Sequence, residues 1–391
     1  MSLALGSKRL EIPNTGDSVL DWIERAFEEG WSDGLPVVPP TLDKVQAMLD
    51  AVDRDPRELL GEIPPRGGRA TVEAVAVQAV MGGCKPEYFP IVIAAVEAML
   101  EPPFNLNGVQ ATTNSVAPLC IISGPIVDEL GINSGSSLFG GGYRANGTIG
   151  RAIRLVLWNL GGGHPESGDK DPEGTPAKWS YCVAERQDVN PWEALHVERG
   201  FAWEQSCVTV FGCRSPHSLS AAAGSGKRVL DIVARALKVD EGERPLGGCQ
   251  TLILLTPPIL QTLQAEKWTK ADVKLYLYEK ARLSLAELRE WWGEQLAFER
   301  YGGAPEQGGQ RWPMWLQAQG DDPNIMVPVM RNGPDSIHLL CGGGHGVAHA
   351  SICAGWGYMG GLAVTKPIQR KPLSRRSKHG SWPAQERLRG V

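Results

Sequence analysis

No stretch of this sequence is long and apolar enough to span a membrane, and residues 1–18, MSLALGSKRLEIPNTGDS, lack the apolar core of a secretion signal. A positive excess is missing as well. The formal net charge is −5, which gives no general attraction to nucleic acid or to an acidic membrane surface. Disulfide density is also absent: eight cysteines scattered over 391 residues read as reduced thiols. These absences predict a cytoplasmic enzyme that acts on a small molecule, with no nucleic-acid and no membrane partner. A phosphate-binding P-loop is excluded too. Gly226-Lys227 invites the comparison, but Ala221 and Arg228 stand where that motif needs Gly and Ser or Thr.

The content of the chain is that of a large globular protein. With 42% hydrophobic and 21% charged residues, its length favours two or three domains. Short apolar runs such as Leu119 to Ile122 and Ile337 to Leu340 read as strands that enter glycine-rich loops and then helices. The expected fold is α/β, with two associated α/β units: 1–200, holding the 131–148 loop, and 201–368, holding the 342–346 loop. A basic flexible tail, 369–391, follows.

The chain is organised around Gly131 to Gly163, GINSGSSLFGGGYRANGTIGRAIRLVLWNLGGG. Its first half is a glycine- and serine-rich loop. Its second half carries Ile149, Ile153, Val156, Leu157 and Leu160 at helical spacing, with Asn146 or Thr148 as the expected cap. A helix start offers unpaired N–H groups and partial positive charge, so a carboxylate or phosphate is the natural guest. Arg151, in the first turns, is expected to hold it, with Asn133, Ser134, Asn146 and Thr148 from the loop and Thr112 and Thr113 from FNLNGVQATTNS sharing the pocket. The plainer reading is an irregular connection whose glycines serve turns.

GGCKPEYFPIVIAAVEAML places Cys84 just ahead of a helix with Pro86 in its first turn. A thiol there, beside Lys85, is expected to have a lowered pKa and to act as nucleophile or redox thiol. Glu87, early in the helix, is a candidate for acid–base work. Burial of Cys84 at a helix junction is the alternative. Asp33, in GWSDGLPVVPPT, reads first as a turn residue.

Near the end, Cys341, His345, His349 and Cys353 recur every four residues in CGGGHGVAHASIC, with a helix expected from Val347. Three readings stand open: zinc held by His345, His349 and Cys341; an oxyanion site made by the glycine loop with His345 as proton carrier; or plain packing. The two glycine loops are expected to enclose one pocket, with Cys84 at its wall.

The runs GWSDGLPVVPPT, GGCKPEYFP, GINSGSSLFGGGYRANGTIGRA and GGGHGVAHA…VTKPI together resemble the UGSC (seleno)protein group, a bacterial family associated with, or fused to, a small domain bearing a selenocysteine- or cysteine-Gly-Ser-Cys motif. The resemblance covers most of residues 17 to 368. No Cys-Gly-Ser-Cys occurs here. The resemblance therefore implies that a redox-active domain is absent or supplied by another polypeptide, and it assigns no catalytic residue. Three functions follow as expectations: a thiol-dependent enzyme acting on a small anionic molecule; a zinc-type hydrolase or lyase; or a substrate-binding large subunit that docks a small redox-active partner. A homo-oligomer or a complex with such a partner is expected.

Overall fold

The computed structural model describes residues 2–5, 8–11, 18–222, 224–242, 248–291, 318–357 and 360–371. Most of the expected basic tail lies outside the described residues. The chain is an α/β protein with helices and mixed sheets, and it forms two compact units. The first holds Met1–Gln187, Glu193–Gly212 and Gly360–Val391; the second holds Asp188–Trp192 and Cys213–Met359. The division falls at Gly212–Cys213 rather than near residue 200, and the chain later returns to the first unit. Sheet pairing explains both: the strand Cys207–Cys213 and the late strand Val364–Pro367 belong to one sheet.

In the first unit, β1 (Ser2–Leu5) and β2 (Lys8–Glu11) form a hairpin, as do β3 (Leu59–Ile63) and β4 (Gly68–Thr71). The main sheet has β5 (Ala117–Ser123), β6 (Cys182–Ala184), β7 (Cys207–Cys213) and β14 (Val364–Pro367) in the order β14-β7-β5-β6. β5 is buried at every position, as its continuous apolar run requires. It runs parallel to β6, with Cys120 opposite Cys182, while β14 is antiparallel to β7.

The helices of this unit are α1 (Ser18–Glu28), α2 (Leu42–Asp50), α3 (Val72–Met81), α4 (Phe89–Leu100), α5 (Leu106–Ala111), α6 (Ile126–Leu130), α7 (Arg144–Asn159) and α8 (Leu195–Glu198). α3 starts where Thr71 Oγ1 accepts the Ala74 N–H at 3.1 Å. α4 carries Pro90 in its first turn and stops before Pro102, which cannot continue a helix. Its Phe89, Ile91 and Ile93 are buried, each contributing about 1.5–3 kcal/mol. α7 packs against α3 at Gly82, where a Cβ would come within 3.0 Å of the Ala152 nitrogen. Glycine is therefore needed there for close approach.

The second unit is built on β8 (His217–Ser220), β9 (Thr251–Leu255), β12 (Ile337–Cys341) and β13 (His349–Ala354), in the order β12-β9-β13-β8. β12 is parallel to β9, whereas β13 is antiparallel to both β9 and β8. A short pair, β10 (Arg282–Ser284) and β11 (Met326–Pro328), lies apart from that sheet. α9 (Gly226–Leu237), α10 (Pro257–Ala265) and α11 (Lys270–Lys280) are among the helices of this unit. Thr269 and Asp272 form a reciprocal capping box at the start of α11.

Among the described residues, no single helix is long and apolar enough to cross a membrane. The one bent pair of sufficient length, Pro86–Leu100 with Pro102–Ala111, breaks by 74°. Its α4 portion is core.

Candidate functional site

α7 starts at Arg144, earlier than the expected caps. Tyr143 is the N-cap residue, extended at φ −117° and ψ 113°, and its side chain makes no capping hydrogen bond. The first helical bond runs from the Gly147 N–H to the Tyr143 carbonyl at 3.0 Å, so the N–H groups of residues 144–146 have no intrahelical acceptor. Gly140, Gly141 and Gly142 precede this start and are exposed; around Gly141 and Gly142 an added Cβ would meet open space.

The residues expected to hold a ligand are occupied otherwise. Asn146, only 4% exposed, turns its amide back on the loop: Oδ1 accepts the Asn133 N–H at 2.8 Å and Nδ2 donates to the Asn133 carbonyl at 2.9 Å. Asn133 Oδ1 in turn accepts the Gly135 N–H at 2.9 Å, which shapes the backbone beside Ser134. Thr148 Oγ1 donates to the Arg144 carbonyl one turn back, at 2.7 Å. Neither Asn146 nor Thr148 is a cap.

Arg151 is also spent within the fold. Its Nε and Nη2 reach the Asp33 carboxylate at 3.1 and 2.7 Å, and its Nη1 and Nη2 donate to the Pro36 and Leu35 carbonyls at 2.8 and 2.9 Å. The guanidinium thereby fastens GWSDGLPVVPPT to α7, and Asp33, read as a turn residue, is its partner. Thr112 and Thr113 lie ahead of β5. Thr112 Oγ1 accepts the Asn114 N–H at 3.1 Å, and Ser115 donates to Asp171 at 2.8 Å, which ties this segment to the 164–179 loop.

Cys84 corrects the expectation of an acidic thiol. It is 6% exposed, and burial pushes its pKa up to about 12 against the smaller opposing effects of the Thr148 side chain and the charge of Arg144. Its Sγ donates to the Thr148 carbonyl at 3.3 Å, a bond that needs the proton in place. Sequence position supplied a helix start, but Gly82 and Gly83 turn the chain so that the thiol faces α7 rather than solvent. Cys120 is likewise raised to about 12 by burial. Glu87 is half-buried in the short turn Pro86–Tyr88. There it adds to the burial that raises the pKa of Tyr88.

Two cations, Arg144 and Lys85, accompany the Glu87 carboxylate on this segment. Arg144, at the helix start, donates through Nε and Nη2 to the Gly83 carbonyl at 3.2 and 3.1 Å, which places it beside the Cys84 segment. From that segment Lys85 sets its Nζ 6.0 Å from the Tyr88 ring, and Tyr88 feels the charge of Arg144. Arg144 was not among the sequence candidates. Its signal was available, a basic residue directly after GGGY, but NGT looked like the cap.

In the second unit the expected helix after the glycine loop is a strand, β13. Cys341 ends β12, buried at 2%, while His349 opens β13, exposed, with Nδ1 2.9 Å from the Val347 carbonyl. The His349 backbone is braced on both sides by Thr256 Oγ1, which donates to its carbonyl at 2.7 Å and accepts its N–H at 3.0 Å. His345 stands exposed in the intervening turn. Without a helix the four-residue spacing no longer aligns these side chains. Among the described residues no three His, Cys, Asp or Glu side chains group as a metal site, so the His345, His349 and Cys341 zinc set is not assembled.

No family model, curated protein or solved structure matches the chain.

Proposed function

We propose that the first unit binds a small anionic molecule at the start of α7, and that the chain serves as the substrate-binding large subunit of an assembly whose bond-breaking group comes from another polypeptide. The observation that carries this reading is a helix start without a side-chain cap at its N-cap residue, behind three exposed glycines, with Arg144 at its first position bonded to the segment that holds Lys85. Backbone donors and the helix dipole favour a negative group, and two cations add charge-assisted hydrogen bonds. The reading of the chain as a thiol enzyme on its own loses its nucleophile, because a thiol with a pKa of about 12 holds almost no thiolate at neutral pH. The resemblance to the UGSC group, in which a small thiol or selenol domain accompanies the larger part, agrees with a borrowed catalytic group.

Titration of the purified chain with inorganic phosphate and with acetate, followed by calorimetry, tests the binding half. Saturable binding that weakens about tenfold in Arg144→Ala and again in Lys85→Ala supports it, since each lost charged hydrogen bond is worth about 1.5 kcal/mol or more. Anion binding that ignores both substitutions rejects it. Recovery of the untagged chain from its native host, with a small thiol- or selenol-bearing protein attached in fixed ratio, tests the assembly half.

A further inference from the structure

A second cleft lies within the first unit, and it shares no lining residue with the Gly131–Thr148 loop. Its volume is about 220 Å³. One wall is a single face of α4, where Pro90, Ile93, Ala94 and Glu97 follow at helical spacing. The connection after α2 supplies Asp53 and Arg54, and the segment after β14 supplies Pro367, Arg370 and Lys371.

These walls carry charges of both signs. Arg54 is held between two carboxylates, with Nε 2.6 Å from Glu58 Oε2 and Nη1 2.9 Å from Glu97 Oε1. One guanidinium shared by two acids leaves that side with a negative excess, to which exposed Asp53 adds. Arg370 pairs with Glu129 through Nη2, while its Nη1 is enclosed and, among the described residues, has no partner. Lys371 donates to the Asp50 carbonyl at 3.1 Å, and among the described residues no carboxylate pairs with it. Pro90, Ile93 and Ala94 add apolar surface to the same cleft.

We propose that this cleft binds a small aliphatic amino acid: its ammonium group toward Glu97 and Asp53, its carboxylate toward Lys371 and Arg370, and its side chain on the Pro90–Ala94 face. The size argues for a ligand of that order, since the cleft lies below the roughly 300–1,000 Å³ of pockets for drug-sized molecules. A simple anion would leave the acidic wall uncompensated. A simple cation would leave the Lys371 charge without a carboxylate.

The test uses the full chain and three probes of matched apolar length: L-norleucine, hexanoate and pentylamine, each titrated by calorimetry. Norleucine should saturate, and each singly charged probe should bind at least about tenfold more weakly, the equivalent of one lost charged contact. Lys371→Ala, at an exposed position whose loss leaves the fold intact, should weaken norleucine about tenfold, and Glu97→Gln should do the same. The proposal is overturned if norleucine fails to saturate at millimolar concentration, if hexanoate or pentylamine equals it, or if Lys371→Ala leaves its affinity unchanged.

Discussion

Asn146 and Asn133 hold each other through a two-way hydrogen bond: one amide on α7 both accepts the N–H and donates to the carbonyl of a single loop residue, at 2.8 and 2.9 Å. The side chain thus does for the glycine-rich loop what a neighbouring strand would do, and it fixes the approach to the start of α7. Asn146→Ala should lower unfolding stability by about 2–4 kcal/mol, because two bonds are lost and two backbone groups of Asn133 are left unsatisfied. It should also make residues 134–142 newly sensitive to protease. Urea unfolding with an unchanged m-value, together with limited proteolysis, checks both; a stability change below about 0.5 kcal/mol would reject the bracing role.

Arg151 and Asp33 form a second fastening, with the arginine side chain 17% and the aspartate side chain 5% exposed. At that degree of burial, removing one partner strands the other. Arg151→Ala and Asp33→Ala are each expected to cost about 2–4 kcal/mol, and the double variant little more than either single one. A double-mutant cycle by chemical denaturation measures the coupling. Additive losses would mean that the pair is not the unit of stabilisation.

The parts of the fold governed by local pattern were legible in the sequence. β5 follows from the run Leu119 to Ile122, α3 and α4 from their apolar spacing, and the stop of α4 from Pro102 and Pro103. What failed was decided by partners far along the chain. NGT reads as a cap only while the pairing of Asn146 with Asn133 is unknown, and Arg151 reads as a ligand residue only while Asp33, 118 positions away, is unknown. In the second unit the four-residue recurrence of Cys and His drew attention from a period of two. Ala350, Ile352 and Ala354 alternate along a strand that has β9 on one side and β8 on the other. For the candidate site, the glycine loop and the helix were visible, but its cations were not.

Acid should weaken the fold through buried histidine. His196 is fully buried, its Nε2 lies 3.3 Å from the Trp203 carbonyl, and among the described residues its Nδ1 makes no hydrogen bond. Burial holds its pKa below the ordinary histidine value of 6.5. The unfolded chain therefore binds the proton first. The stabilising contribution of neutral His196 is complete above 6.5 and is lost as pH falls from there through the lowered folded value. His164, lowered by burial and then by Arg66, acts in the same direction. In His196→Gln the slope of unfolding free energy against pH should flatten on the acid side of about 6.5, whatever the absolute stability of the variant. An identical slope in both proteins would remove His196 from the account.

The state of Cys84 gives the most direct test of the site. All eight cysteines are buried, and the Cys84 proton is shared with the Thr148 carbonyl on α7. A thiol reacts as its thiolate, and burial, the dominant effect here, disfavours that form. Alkylation of the native protein with N-ethylmaleimide at pH 7 to 8.5, read by mass spectrometry of peptides, should spare Cys84 while complete labelling follows in denaturant. Raising the pH across this range should not speed its modification as it would for an ordinary exposed thiol, because about 12 remains far above it. Cys84→Ser, which keeps a donor to Thr148, should preserve stability better than Cys84→Val, which removes it. Rapid native labelling of Cys84, rising with pH in this range, would restore the nucleophile and return the chemistry to this chain.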